Sequence, residues 1–215
     1  MDKRPLVTVY IQVYNTRESD LRTCIESVLN QSYHNLELFI FDNGCTDGSS
    51  EILRNYAKLD ARIRLTQIAD NDTSYWHYYD ICKNTTGEYL TVLDSDDWLE
   101  QDYLDRLVYF AVRNNLDIAC TGSKFHYEES HSAGERRLQK PLTLDCNHYH
   151  LTYPVYHAFL RTTWGKLIRQ EIVRKFTNRP PAEVVYGLDT VLAFRWLRDS
   201  RRMGVDSSVL HHYRV

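Results

Sequence analysis

No apolar run in the 215-residue chain approaches the roughly 18 residues that a membrane-spanning helix needs. Proline and glycine are scarce, at 5 and 8 residues, which excludes collagen-like and Pro/Gly-rich disordered chains. The five cysteines (Cys24, Cys45, Cys82, Cys120, Cys146) are odd in number and form no CxxC pair. Neither a disulfide framework nor a thiolate metal site is expected, and reduced thiols in a cytosolic compartment fit better. Met1 to Pro5 leads straight into a strand-like run, so no secretory leader is expected. Internal repeats and low-complexity tracts are missing too. What is present is 43% hydrophobic and 26% charged residue, the composition of a globular chain with a sizeable core.

The net charge of −3 conceals an asymmetry. Residues 1–120 carry 11 Lys and Arg against 20 Asp and Glu, whereas 121–215 carry 15 against 9 and hold seven of the nine histidines. Solvated faces explain such a split. So does a division of labour, with an acidic half holding a cation and a basic half facing an anion.

Hydrophobic periodicity alternates between 2 and 3.6 along the first 120 residues. Leu6 to Val13 reads as a buried strand, and Leu21, Cys24, Ile25, Val28 and Leu29 as one face of a helix. Leu36 to Phe41 is a second strand, followed by a turn-rich Asp42 to Ser49 and a helix through Ile52, Leu53, Tyr56 and Ala57. Further strands are expected at 62–68, 88–93 and 117–121, with helices at 74–83 and through Tyr103, Leu104, Leu107, Val108 and Ala111. This order implies an α/β fold: a mostly parallel sheet with helices on both faces. The rhythm weakens after Thr121. Residues 124–145 read as a polar flap, 149–160 as an aromatic strand, and 187–199 as a helix. With no linker, one domain over 1–215 is expected, comprising a ligand-binding half to residue 121 and a smaller second half from 122.

In such sheets ligands bind at the carboxyl ends of the strands. Three polar clusters fall there: Gln12 to Asn15, Asp42 to Asp47, and Asp94 to Asp97. One alone is ordinary turn or capping chemistry; three at one sheet edge point to a site. Asp94-Ser95-Asp96-Asp97 is the strongest, because three carboxylates so close repel one another and call for a cation. Hard oxygen donors suit Mg²⁺ or Mn²⁺, ions commonly shared with substrate phosphates. In an extended segment Asp94 and Asp96 point the same way, and Asp97 is placed to cap a following helix.

These segments, together with Ser27-Val28-Leu29-Asn30-Gln31-Ser32-Tyr33, Gly87-Glu88-Tyr89 and the fainter Trp164-Gly165-Lys166-Leu167, Gly187-Leu188-Asp189 and Tyr213-Arg214, carry a resemblance over essentially the whole chain. The chain resembles the family-two glycosyltransferases of the GT-A fold, which transfer a sugar from a nucleotide sugar with inversion. The resemblance implies that Asp94-Ser95-Asp96 is the family's DxD element. Asp96 would then hold the divalent metal, and Asp94 the donor ribose or the metal shell. It places Asp42 against a uracil-like base, and Gln12, Tyr14 and Asn15 at the loop meeting that base. Asp189 would be the catalytic base, with Glu183 in reserve. His211 or His212 would complete the metal shell, the alternative being a surface histidine pair. Trp164 would offer a ring face to the acceptor sugar or else pack in the core.

The chain also departs from the family pattern. Gln12 stands where proline is usual, Asn43 and Leu188 where acids are usual, and His77-Tyr78-Tyr79 where Ala-Arg-Asn is expected. Lys83 or Lys166 is the expected substitute for that arginine at the donor diphosphate. The implied partners are a nucleotide-sugar donor, most simply UDP-linked, and a glycan or lipid-linked acceptor. The basic second half suggests an anionic acceptor at the cytoplasmic membrane face. The competing reading is a non-catalytic sugar-nucleotide-binding module. A dehalogenase-type phosphatase would need a nucleophilic Asp where Tyr14-Asn15 stands, and no motif supports nucleic-acid binding.

Overall fold

The computed structural model describes residues 4–72, 85–175 and 187–215. The expected helix at 74–83, with His77-Tyr78-Tyr79 and Lys83, and the reserve base Glu183 lie outside them. Strands β1 (Val7–Val13), β2 (Leu36–Asn43), β3 (Ile63–Ile68) and β4 (Tyr89–Asp94) pair in parallel in the order β3-β2-β1-β4. Helices α1 (Glu18–Leu29) and α2 (Ser49–Leu59) connect the first three. Beyond β4 the sheet becomes mixed: β9 (Lys166–Arg169) inserts antiparallel between β4 and β6 (Ile118–Tyr127). Next comes β10 (Arg202–Arg214), parallel to β6, and then the short β5 (Trp98–Leu99).

Strand alternation decides which face each helix covers. Val7, Val9, Ile11 and Val13 of β1 pack on α1, α2 and α3 (Tyr103–Arg113) through Leu21, Ile25, Leu53, Leu104 and Leu107. On the opposite face Tyr10, Leu90, Val92 and Ile168 meet α4 (Tyr149–Leu160), α5 (Gln170–Arg174) and α6 (Leu188–Asp199). Phe159, Leu160, Ile172, Val173, Leu192 and Trp196 make that contact. Covering on both faces explains why every residue of β1 except Gln12 is buried, Thr8 included.

Three expectations need correction. Residues 124–145 are not a flap: β6 continues to Tyr127 and pairs with β7 (Ser132–Arg136), and β8 (Leu142–Asp145) pairs with β10. Their polarity is that of edge strands with exposed or half-buried side chains. Residues 149–160 form helix α4, not a strand; aromatic residues suit either period, and packing of Phe159 and Leu160 beside α6 decides it. Asp97 caps no helix, because the chain first makes β5 and α3 begins only after Asp102.

Gly204 sits where β10 passes under α3. A Cβ there would lie 2.7 Å from Leu116 Cδ1, 2.8 Å from Phe110 Cε1 and 2.9 Å from the Leu142 carbonyl. Gly204→Ala is expected to destabilise the fold by about 2 kcal/mol through overpacking. A urea titration checks this, since the midpoint should fall with little change in slope.

Candidate functional site

Strand register turns distant sequence clusters into neighbours. Gln12 lies opposite Asp94 across β1 and β4, and Val13 lies opposite Asp42 across β1 and β2. A cleft of about 850 Å³ opens at this carboxyl edge. Its walls include Gln12, Tyr14 and Asn15 after β1, Asp94, Ser95 and Asp96 after β4, Asp189 on the first turn of α6, and Trp164, Tyr213 and Arg214. The volume suits a nucleotide-sized ligand.

The acid cluster is a tight turn closed by the Asp97 N–H donating to the Asp94 carbonyl at 3.1 Å. Thr16 Oγ1 lies 2.6 Å from Ser95 Oγ and ties this turn to the first loop. Asp94 is half-buried at the strand end, and Asp96 is exposed. Burial, reinforced by Asp97, Asp96 and Asp189, pushes the Asp94 carboxyl up to about 8. Asp189, on the first turn of α6, lines the same cleft as this turn. Tyr213 stands among the same acids; burial and then their charges raise its phenol, keeping it a protonated donor.

Asp97 faces inward, away from the cleft. Its Oδ1 accepts the Arg214 N–H at 2.8 Å, and Oδ2 lies 3.3 Å from His211 Nε2 with both side chains fully buried. Burial, opposed by that N–H, pushes Asp97 up to about 8. Burial, with Arg136 and His212 nearby, holds His211 down at about 3, a neutral imidazole.

Several sequence-derived roles are redirected by this geometry. Asp42 is off the cleft wall, buried, and accepts from the Cys45 N–H at 3.0 Å, Ser50 Oγ at 2.5 Å and Gln67 Nε2 at 2.6 Å. Burial opposes its ionisation, but these donors outweigh burial and lower its pKa, so as a carboxylate it braces the β2 loop. Lys166 is also buried. Its ammonium donates to the carbonyls of Phe159, Leu160 and Thr162, the end of α4, and is unavailable to a diphosphate. His212 points the other way, Nε2 to Glu100 at 2.8 Å and Nδ1 to His126 at 2.9 Å, stacked on Trp98. It belongs to a histidine pair and not to a metal shell.

Trp164 reaches the cleft wall, but its ring stacks on His211 and Tyr213 and lies 5.0 Å from the Arg136 guanidinium. With 8% of its surface exposed it offers no free face to a sugar. Asn15 lines the cleft and also staples two loops: at φ 49° its Oδ1 accepts the Thr46 N–H at 2.8 Å.

The sequence reading missed Arg17, Asp20 and Glu128 on the same wall. They lie in a loop, a helix start and a hairpin tip, where no periodic signal marks them.

Among the described residues, no three His, Cys, Asp or Glu side chains converge tightly enough to enclose a metal by themselves. Of the carboxylates lining the cleft, Asp94 and Asp96 stand two residues apart on one turn. That is the donor number and type with which Mg²⁺ is held when substrate phosphates supply the rest.

Residues 8–177 match the model of Glycosyl transferase family 2. The chain belongs to this family. Glycosyltransferase GlyA of Streptococcus pneumoniae is 32% identical over 175 residues, 77% of the chain and 25% of that protein. The uncharacterized glycosyltransferase EpsJ of Bacillus subtilis is 29% identical over 218 residues, 98% of the chain and 61% of that protein. The chain thus spans between a quarter and about three-fifths of these relatives' lengths. The fold is that of S. aureus TarS 1–349 crystallised with UDP and with UDP-GlcNAc. Both structures have a TM-score of 0.81 and 16% identity, covering 97% of this chain and 60% and 58% of theirs. The GT-A architecture expected from the sequence is therefore confirmed. Among the described residues, no helix is long and apolar enough to cross a membrane.

The raised Asp94 pKa carries a pH signature. A carboxyl whose folded value lies above its unfolded one stabilises the fold at low pH, and that stability is lost as pH rises from about 4 through about 8. In EDTA, Asp94→Asn should therefore melt higher than the parent at pH 8, and the gap should close towards pH 4. Melting curves across that range check it.

Proposed function

We propose that the chain transfers a sugar, with inversion, from a UDP-linked donor to a glycan or lipid-linked acceptor. The supporting observation is the convergence of Asp94, Asp96 and Asp189, from β4 and α6, on one cleft at the carboxyl edge of the sheet. The UDP and UDP-GlcNAc complexes of the TarS fold relative support the choice of nucleotide.

In this reading Gln12, Tyr14 and Asn15 line the nucleoside end of the cleft, where Tyr14 is exposed and free to lie against a base. Asp94 and Asp96 would hold Mn²⁺ or Mg²⁺, which when bound neutralises charge on the departing diphosphate. Asp189 is exposed at the opening of α6, its carboxylate facing the cleft rather than the core. It takes the proton from the acceptor hydroxyl while that oxygen attacks the anomeric carbon opposite the leaving group. The phenol of Tyr213 donates a hydrogen bond into the same acidic space. Residues 1–121 supply most of the donor side and 122–215 most of the acceptor side. The basic excess of the second part favours an anionic acceptor, including one presented at a membrane surface.

Thermal shift with UDP, with and without Mn²⁺, tests donor and metal together. UDP plus Mn²⁺ should raise the melting point most, and Asp96→Ala should remove the metal-dependent part. Asp189→Asn should keep the UDP shift yet lose about 100-fold or more in transfer rate. Equal shifts with and without metal would count against the metal, and unchanged turnover in Asp189→Asn against the base. UDP binding without turnover in either protein would mark a binding module instead.

A further inference from the structure

Two arginines on the cleft wall already hold an anion. Arg17, in the loop before α1, and Arg214, at the end of β10, approach the same oxygen, Glu128 Oε1, at 2.5 and 3.1 Å. From behind, the two oxygens of Asp20 take one arginine each, Oδ2 with Arg17 at 2.7 Å and Oδ1 with Arg214 at 3.2 Å. The four charges form a closed ring, but its two acids are unlike. The Asp20 side chain is 9% exposed and sits on α1, a fixed brace. Glu128 is 45% exposed and sits just past β6, at the tip of the β6–β7 hairpin. Both arginines lower its pKa, Arg17 first. Exposed ion pairs of this kind contribute little to stability and exchange readily.

The fork also touches the acid turn. Arg214 Nε donates to the Asp96 carbonyl at 3.1 Å, and its backbone N–H holds Asp97. An anion on the fork therefore lies beside the turn where, in the function proposed above, the donor diphosphate sits. Paired arginines match phosphate oxygens better than a single glutamate oxygen does, through more and shorter charge-assisted hydrogen bonds.

We infer that Arg17 and Arg214 form a phosphate-binding fork whose resting occupant is Glu128, and that a donor phosphate oxygen displaces this carboxylate. Exchange frees the hairpin tip from the cleft, so donor entry and release of that tip are one event. Glu128 is then an internal competitor that weakens donor binding in the resting protein.

The inference rests on the proposed donor site, and the experiment separates the two. Calorimetric titration with UDP and with uridine, in Mn²⁺, is run on the parent, Glu128→Gln and Glu128→Gln/Arg17→Gln. Glu128→Gln is expected to tighten UDP about five- to tenfold, the scale of a released charged partner, and to leave uridine unchanged. Adding Arg17→Gln should abolish that gain. Equal UDP affinity in the parent and Glu128→Gln overturns the fork while leaving the donor site standing. Tightening of uridine to the same degree also overturns it, because the effect would not be on phosphate. Absence of UDP binding in all three proteins overturns both. Inorganic phosphate distinguishes the source: tightening with phosphate but not with UDP gives the fork to an anionic acceptor group and refutes the donor assignment.

Discussion

Repulsion between like charges at the end of β4 is the constraint around which this edge of the molecule is arranged. Asp94, Asp96 and Asp97 cannot all stay ionised side by side without compensation. Each meets the problem differently. Asp97 turns inward to a backbone N–H of β10, Asp94 holds a proton further into the neutral range, and Asp96 faces solvent. The last strand of the sheet thus reaches back to the fourth. Arg214 binds the turn through its main chain, its side chain and a contact 5.0 Å above the Trp98 ring.

The rest of the fold makes that arrangement rigid. Parallel pairing of β1 with both β2 and β4 sets three loops on one edge in fixed register. Helices on either face bury β1 almost completely, so its end cannot shift without disturbing two cores. On the second side the wall is built from stacked rings, Trp164 on His211 and Tyr213, and from Lys166 tying off α4. His211 and Lys166 resemble site residues in the sequence because they are polar, yet they support the wall from behind, while Trp164 and Tyr213 form its surface.

The first half was legible because its strands and helices keep clean periods and its clusters fall at strand ends. Gln12, Tyr14, Asn15, Asp94, Asp96 and Asp189 were read as neighbours, and the cleft brings them together. Direction was not legible. A sequence cannot say that Asp42 accepts from Ser50 and Gln67, or that His212 turns towards Glu100. Those depend on side-chain partners 8 to 112 residues away. The second half hid its architecture for another reason: β7 and β8 are edge strands, polar by necessity, and α4 is too aromatic for its period to speak. Of the fork, Arg214 is marked only by the faint Tyr213-Arg214 resemblance, and Arg17 and Glu128 carry no pattern, since an ion pair between a loop and a hairpin has no spacing rule.

The Asn15 staple has a mechanical meaning. By gripping Thr46 while its own N–H reaches Cys45 Sγ at 3.4 Å, it fuses the loops after β1 and β2 into one lever. Tyr14 rides on that lever, next to its pivot. An altered length in the β2 loop would therefore swing an aromatic ring that belongs to a different strand, letting drift in one segment retune the fit of another.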